Sequence, residues 1–370
     1  MFGRHILDLA PTPENGRNSE GCFLTLKDGR ILFVYTRYGA EGYHDGCNAD
    51  LYGIISSDNG ETFGEPFLFY SRDRIGADNV MSVTLRWMDN GDMGLFFLRK
   101  IAGGQCNGMF ARSADEGNTW SDAIYFTDPE GYICVNPDRV IRLENGRWLT
   151  VGAIHSATRY GSTDDGNRKI VTDLTPGRLQ VYVSDDDGAS WQTIVKEHIL
   201  PVDGRFNTTG AQEPGVVQLA DGRIWCFIRT NYGRQYETFS YDNGATWTPI
   251  EPSWFTSPDS PLSMKRLADG RLFAVWNPIP RGNIRPSRID GAMTGSRTPM
   301  VCAVSRDEGA TWENITTIES DERRGFCYIA IHELEDGSVL LGYCAGSPED
   351  RCCLSRLRIR KITREDMATL

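Results

Sequence analysis

Residues 184–191 read SDDDGASW, and four other segments repeat this pattern of Ser, Asp, Gly and a final aromatic residue. They are SSDNGETF (56–63), SADEGNTW (113–120), SYDNGATW (240–247) and SRDEGATW (305–312). Asp can bond nearby backbone N–H groups, Gly accepts a positive φ, and the aromatic side chain can pack beneath a turn. Each segment therefore predicts a structural hairpin. Metal binding is disfavoured, because one segment offers too few oxygen ligands.

A second repeat alternates with the first. Six stretches consist of an apolar run, a D/N-G or similar Gly turn and another apolar run, with their glycines at Gly29, Gly91, Gly146, Gly222, Gly270 and Gly337. The spacing suits a blade of four antiparallel strands. We therefore predict an all-β six-bladed propeller with five such box hairpins, in a single domain spanning residues 1–370. A closed ring also accommodates 370 residues without a linker.

Composition narrows the class of protein. The net charge of −11 argues against nucleic acid as a partner, and no apolar run is long enough to span a membrane. The first residues lack the apolar stretch of a secretory signal, and the ten cysteines show no CxxC pairing. We expect a cytoplasmic protein with reduced thiols, no structural zinc and no cofactor. The oligomeric state stays open.

The boxes resemble the Asp-box, or BNR, repeats of the sialidase (neuraminidase) superfamily, along essentially the whole chain. QEPGVVQLADGRIWCFIRTNYG, residues 212–233, is similar to the sialidase segment in which a Glu precedes a strand and an Arg ends the next one. Glu213 and Arg229 match those two positions. Joined by one hairpin, both side chains can emerge at the same end of a blade.

Two more positions follow from the resemblance. Arg297, before the strand that leads into the fifth box, matches an arginine of the carboxylate-binding cluster, although Arg281, Arg285 and Arg288 lie in the same loop. Tyr328 matches the sialidase tyrosine. A phenol nucleophile avoids the repulsion that a carboxylate would meet at a substrate carrying its own carboxylate, and it needs an adjacent base, here Glu213.

The acid that protonates the leaving oxygen is expected in the loop TRYGAEGYHDGCNADLYG. Glu41, Asp45 and Asp50 are its carboxylates, and Asp45 falls nearest the family position, between the hinge-like residues Gly42 and Gly46. Asp50 remains the alternative. Arg37, which ends the preceding strand, resembles a sugar-contacting position.

The resemblance fails at the first strand, where sialidases carry an arginine in an R-I-P motif. This chain has GRNSEGCFLTL instead, with Arg17 and Glu20 as the nearest charged residues. Either Arg17 substitutes for the missing arginine, or two arginines and a Glu bind a different acidic sugar.

Other polar residues flank the repeat strands and are candidates for binding sugar hydroxyls: Asn79, Arg99, Asn136, Asp138, His155, Gln235 and Tyr236.

Taken together, the repeats and the resemblance predict a retaining exo-sialidase-like glycosidase that acts on a carbohydrate with an acidic terminal sugar. Two alternatives stay open. One is a hydrolase or lyase for a uronate-capped chain, in which a His/Tyr pair would abstract a proton. The other is a non-catalytic carbohydrate-binding propeller.

Overall fold

The computed structural model describes residues 2–40, 42–101, 104–162, 169–280 and 286–370, which form an all-β protein. In that part of the chain, helical structure consists of two 3₁₀ turns, Arg72–Ile75 and Pro348–Asp350, and the helix α1, Arg364–Met367. None of these segments has the length and apolar character needed to cross a membrane. Strands therefore carry the fold.

The strands come in six consecutive stretches of the chain. The first two stretches contain β1 (Arg4–Leu9), β2 (Asn18–Thr25), β3 (Ile31–Tyr38), β4 (Ala49–Ser56), β5 (Phe67–Tyr70), then β6 (Asn79–Trp87), β7 (Met93–Ile101), β8 (Gln105–Ser113) and β9 (Ile124–Tyr125). The third contains β10 (Tyr132–Cys134), β11 (Ile141–Arg142), β12 (Trp148–His155), β13 (Ala157–Ser162), β14 (Lys169–Leu174), β15 (Arg178–Ser184) and β16 (Gln192–His198).

The remaining three stretches follow the same plan. They contain β17 (Gln212–Gln218), β18 (Ile224–Arg229), β19 (Arg234–Ser240), β20 (Glu251–Thr256); β21 (Ser263–Arg266), β22 (Leu272–Trp276), β23 (Arg288–Ile289), β24 (Ala292–Met293), β25 (Met300–Ser305), β26 (Glu313–Glu319); and β27 (Cys327–Glu333), β28 (Val339–Cys344) and β29 (Leu357–Ile362).

Antiparallel pairing between sequence neighbours builds each group. The orders are β2-β3-β4-β5, β6-β7-β8-β9, β12-β15-β16 with β10 and β11 beside β12, β17-β18-β19-β20, β21-β22-β25-β26 and β27-β28-β29. Single parallel bridges, Ala49 to Asn79 and Tyr132 to Cys106, join the first three groups into one continuous sheet. The hairpins β13-β14 and β23-β24 are insertions into the third and fifth groups.

The first strand completes the last group. β1 pairs antiparallel with β29, with Leu9 opposite Leu357 and Arg4 opposite Lys361. Asp8 on β1 accepts hydrogen bonds from both the Nε and Nη2 of Arg358, at 2.8 and 2.9 Å. Main-chain pairing and a forked ion pair thus fasten the start of the described chain to its end.

The five boxes share one hydrogen-bond pattern between the third and fourth strands of their groups. In the box at 240–247, the Ser240 hydroxyl donates to Asp242 and accepts from the Gly244 N–H, while Thr246 donates its hydroxyl to Asp242 at 2.6 Å. The residue before each Gly has a left-handed backbone, with φ of 58° at Asn243. These bonds use the Asp oxygens within the turn itself, which makes the boxes structural.

The apolar core lies in layers between successive groups. One layer packs β2, β3 and β4 against β6, β7 and β8, and similar layers follow along the chain. A further layer packs the last group against the first, through residues such as Phe33 and Ile54 on one side and Leu340 and Ile359 on the other. Burying both faces of each group leaves function to the strand ends.

Candidate functional site

Strand direction separates the two ends of the groups. The D/N-G turns join first strands to second strands, and the boxes join third strands to fourth, so both repeats lie at one end because neighbouring strands are antiparallel. The opposite end holds the starts of the first strands, the ends of the second and the loops between second and third. Every catalytic residue predicted from the sequence lies at this opposite end.

Bulges at the starts of four first strands aim polar side chains inward. Glu20 in β2, Ser82 in β6, Glu213 in β17 and Tyr328 in β27 have φ values of 57°, 57°, 42° and 55°. The pairing register shifts at each of them. A bulge with a left-handed residue redirects a side chain, and such bulges are common beside active sites. Four separate strands thus bring polar groups to one place.

Tyr328 and Glu213 are directly hydrogen-bonded. The Tyr328 hydroxyl donates to Oε1 of Glu213 at 2.8 Å. Nη1 of Arg229 lies beside both residues, 2.5 Å from Glu213 Oε2 and 3.4 Å from the phenol oxygen. The hairpin places Arg229 opposite Gln212, next to Glu213, as the sequence predicts. Burial raises the pKa of Tyr328 well above its usual range, and the Glu213 charge adds to this, against the opposing effect of Arg229 and Arg297. The resting phenol is therefore protonated.

Asp259 links the two arginines. Its carboxylate accepts from Arg229 Nε at 2.6 Å, and its carbonyl oxygen accepts from Arg297 Nη2 at 3.0 Å. Arg297 is buried, with its guanidinium 5.6 Å from the centre of the Tyr328 ring. Arg229, Arg297 and Tyr328 thus form one cluster with Glu213 and Asp259. Arg288 lies in the exposed β23 segment, and Arg281 and Arg285 lie outside the described residues.

A second cluster surrounds Arg17, which is fully buried. Its guanidinium donates to Glu20 Oε1 at 2.7 Å, Asp45 Oδ1 at 2.5 Å, the Tyr43 carbonyl oxygen at 3.2 Å and the Ser19 hydroxyl at 2.8 Å. The second oxygen of Glu20 accepts from Ser82 at 2.6 Å. Arg17 and Glu20, the two candidates for the missing arginine position, are therefore paired with each other.

The carboxylates of this second cluster shift in opposite directions. Burial raises the pKa of Glu20 to about 7 against the attraction of Arg17, and Asp45 adds to the rise. Burial also acts to raise the pKa of Asp45, but Lys100, 3.9 Å away, and Arg17 outweigh it and hold that pKa well below its usual range. The Glu20 charge also contributes to the raised pKa of Tyr328, so the two clusters interact.

Three predicted binding residues have partners outside these clusters. Asp50 accepts from the backbone N–H and Nη1 of Arg72, at 2.8 and 2.9 Å, and Arg37 stacks 4.6 Å from the centre of the Tyr52 ring. Gln235 is fully buried and donates to Ser257 and the Ser260 carbonyl oxygen, both at 2.8 Å. Between the two acid candidates, the structure thus puts Asp45 beside the clusters and Asp50 in an ion pair with Arg72, while Glu41 lies outside the described residues.

A model of the BNR repeat-like domain matches residues 72–341, which is well over half of the chain. The chain belongs to the BNR repeat-like family. This match confirms the resemblance carried by the boxes. No curated protein matches the sequence.

Solved structures place this BNR repeat-like protein beside sialidases in fold. A leech intramolecular trans-sialidase, solved with 2,7-anhydro-Neu5Ac, is 14% identical with a TM-score of 0.70, covering 100% of this chain and 71% of its own. An intramolecular trans-sialidase from Ruminococcus gnavus is 13% identical with a TM-score of 0.69, covering 98% of both chains. A protein of unknown function from Dyadobacter fermentans is 18% identical with a TM-score of 0.68, covering 97% of this chain and 99% of its own. At these identities the likeness establishes the fold alone.

The other candidates of the BNR repeat-like chain divide between the two ends. Asn79 donates to the Cys47 carbonyl oxygen at 2.7 Å and so fixes the loop of Asp45. His155 is buried, which lowers its pKa, and its Nδ1 is 2.8 Å from the Thr175 carbonyl oxygen. Asp138 lies with Arg86 and Lys265, toward the box end of the first strands. The opposite end, which holds Tyr328, Glu213 and Asp45, is called the mouth. Asp138 is wrong as a sugar-binding candidate at the mouth, because its carboxylate is buried and paired toward the box end.

Sequence reasoning missed several side chains of the two clusters, among them Asp259, Ser82 and Lys100. Lys100 could have been found, because the neighbouring Arg99 was named and alternation along a strand sends neighbours to opposite faces. Arg99 instead lies 3.4 Å from the hydroxyl of Tyr125. Asp259 follows a Pro in an irregular loop and carries no sequence signal that points to the site.

Proposed function

We propose that this protein is a retaining exo-glycosidase of sialidase type that releases a terminal acidic sugar, and that its six strand groups are the blades of one propeller over residues 1–370. The observation that carries the proposal is the 2.8 Å hydrogen bond from Tyr328 to Glu213, with Arg229 beside both. A half-buried Tyr–Glu pair at the end of a sialidase-like fold combines a neutral nucleophile with its own base. The carbohydrate is the partner, and the chemistry calls for no cofactor.

In the first step, Glu213 takes the phenolic proton while the Tyr328 oxygen attacks the anomeric carbon. The glycosidic bond breaks, and the leaving oxygen takes a proton from Asp45. In the second step Asp45 removes a proton from water, which attacks the same carbon and releases the tyrosine, while Glu213 returns the proton to the phenol oxygen. Arg229 stabilises the negative charge that passes between Glu213 and the phenol oxygen.

Two arginines are placed to hold the carboxylate of the substrate. Arg229 and Arg297 flank Tyr328 and are bridged by Asp259, which fixes the distance between their guanidinium groups. A guanidinium offers paired N–H donors that match a carboxylate. The substrate carboxylate would thus sit beside the nucleophile, where a neutral phenol is tolerated and a carboxylate nucleophile would be repelled.

Asp45 must gain a proton to act as the acid. In the free protein Arg17 and Lys100 keep it ionised, although its side chain is about half exposed. An anionic sugar entering the site competes for Arg17 and adds a like charge, and both effects raise the pKa of Asp45. Substrate binding therefore prepares the acid.

A second candidate is the same reaction on another acidic sugar, such as a uronate at the end of a glycan. The engagement of Arg17 by Glu20, Asp45, Ser19 and the Tyr43 carbonyl oxygen favours this candidate, since its donors already have partners. Two arginines and the carboxyl of Glu20 would then recognise the sugar.

Kinetics with fluorogenic glycosides test both candidates. We expect wild type to hydrolyse a sialoside, or a uronide under the second candidate, and Tyr328→Phe to lose on the order of 10⁴-fold or more in kcat. Tyr182→Phe, which alters a buried tyrosine of the third group, is the matched control and should retain activity. Equal rates for wild type and Tyr328→Phe would exclude the nucleophile. Release of an unsaturated product would indicate a lyase, and binding of both glycosides without turnover would indicate a carbohydrate-binding protein.

A further inference from the structure

Arg297 makes an unusual contact with sulfur. Its Nη1 lies 3.0 Å from Sγ of Cys327, the residue before Tyr328 in β27. Its other hydrogen bonds run to the carbonyl oxygen of Asp259, from Nε at 3.3 Å and Nη2 at 3.0 Å. A neutral carbonyl does not compensate a buried positive charge, so an anion in contact with Nη1 would lower the cost of burying this guanidinium.

Two further cysteines belong to the same part of the last strand group. Cys344 lies directly opposite Cys327 in the β27-β28 pairing, and Cys353 lies in the segment between β28 and β29. Cys353 is held near the start of β27 through Gly346, whose N–H donates to the Cys353 carbonyl oxygen at 3.0 Å and whose carbonyl oxygen accepts from the Gly325 N–H at 3.1 Å. All three cysteines are completely buried. A buried sulfur that accepts from a guanidinium at 3.0 Å suits a thiolate better than a thiol, because the guanidinium can only donate and its charge favours an anion.

The electrostatics agree with this geometry. Burial acts to raise the pKa of Cys327, but the hydrogen bonds from Cys344 and Cys353 and the charge of Arg297 lower it well below its usual range. The pKa values of Cys344 and Cys353 shift upward, as expected for thiols beside a thiolate. Cys302, a buried cysteine in β25, has its pKa raised to about 12 by burial. Cys302 therefore shows the effect of burial alone on the pKa of a cysteine in this interior.

We propose that Cys327 is a buried thiolate that positions Arg297 against Tyr328, within a group of three buried cysteines that includes Cys344 and Cys353. Cys327 is a positioning residue: it acts on the substrate through Arg297. The thiolate is expected in the free protein, whereas its effect on substrate binding rests on the proposed function. Without the thiolate, Arg297 loses its charged partner and its fixed orientation.

Ultraviolet difference spectroscopy tests the thiolate without any substrate. Thiolates absorb in the far ultraviolet where thiols do not, so folded wild type at neutral pH should show the absorbance of one thiolate, lost on unfolding in neutral denaturant. We expect Cys327→Ser and Arg297→Gln to lack this absorbance and Cys302→Ser to retain it. Folded wild type without the absorbance would overturn the proposal, even if no variant folds. Retention of the absorbance in Cys327→Ser would overturn it equally.

Kinetics on the same variants test the positioning. We expect Cys327→Ser to raise KM roughly ten- to hundredfold, with a smaller change in kcat, because a charge-assisted contact to Arg297 is lost. Cys327→Asp restores an anion and should recover most of the KM. An unchanged KM in Cys327→Ser, or equal KM values in the Ser and Asp variants, contradicts the positioning role. The outcomes separate the two proposals, since a thiolate in an inactive protein refutes only the glycosidase, and an active protein without a thiolate refutes only this inference.

Discussion

Glu20 and Asp138 are both buried carboxylates on residues with a left-handed backbone, yet their pKa values shift in opposite directions. Asp138 accepts from Lys265 at 2.6 Å, Arg86 at 3.0 Å and the Ile331 N–H at 3.2 Å. Burial acts to raise its pKa, but the two cations outweigh burial and hold that pKa well below its usual range. Glu20 shares Arg17 with Asp45, and its pKa rises to about 7.

The difference lies in how charge is compensated. At the box end, one carboxylate receives two cations and joins β6, β21 and β27, so it ties the groups together. At the mouth, carboxylates compete for shared cations. Groups held away from their preferred protonation state are typical of functional sites. Substitution at the box end should therefore cost stability, and substitution at the mouth should cost activity.

The largest expected effect is at the mouth. Glu213→Gln removes the base from Tyr328 while keeping its shape, and kcat should fall by about 10²- to 10⁴-fold. The melting temperature should change little, since Arg229 keeps Asp259 as a partner. Steady-state kinetics and thermal unfolding on one preparation check both parts. Full activity together with a large loss of stability would reverse the comparison.

Asp138→Asn should have the next largest effect, this time on stability. It leaves Arg86 and Lys265 without their charged partner, and the free energy of unfolding should fall by about 3–5 kcal/mol. Asp89→Asn is the matched control, because the Asp89–Arg142 pair is exposed and 2.6 Å long, and its loss should cost under about 0.5 kcal/mol. Chemical denaturation measures both. Similar losses in the two variants would show that the buried cluster is not special.

Glu20→Gln should change how stability depends on pH. The folded pKa of about 7 exceeds the usual value of 4.5, so between these pH values the folded protein binds more protons than the unfolded chain. Relative to Glu20→Gln, the free energy of unfolding of wild type should fall by up to about 3 kcal/mol as pH rises from about 4.5 to 7. Above pH 7 the difference should stay constant. His332, whose pKa burial lowers to about 4, titrates in both proteins and cancels in the difference. A difference that is flat with pH would contradict the raised pKa.

The smallest effect is expected at a box. Asp242→Ala removes the acceptor of Ser240 and Thr246, and the free energy of unfolding should fall by about 1–2 kcal/mol, with KM and kcat unchanged. A loss of activity without a loss of stability would contradict a purely structural role for the boxes.

The sequence predicts local structure well because the repeats are local. A turn Gly or a box specifies its own hairpin, and Glu213 meets Arg229 because one short hairpin connects them. The pairing of β1 with β29 could not be predicted in this way, since no turn joins partners more than 340 residues apart. The insertion β13-β14 likewise has no counterpart in the repeats.

The composition of the site depends on features that the sequence pattern does not encode. Bulges decide that Glu20 and Tyr328 point inward, and a bulge shifts the alternation from which faces are read. Asp138 also has a left-handed backbone, in the segment between β10 and β11, and its carboxylate pairs with Arg86 and Lys265 at the box end. Cys327 was passed over as one buried thiol among ten, because only the fold brings Arg297 and two more thiols to it.

The central claim is that Tyr328 attacks the sugar. A sialosyl fluoride with fluorine at C3 reacts in the first step and resists the second, so the intermediate accumulates. Intact-mass and peptide mass spectrometry should show one added sugar on the peptide that contains Tyr328, and none on Tyr328→Phe. A sugar attached elsewhere, or turnover of a sialoside by Tyr328→Phe at the wild-type rate, would contradict the claim.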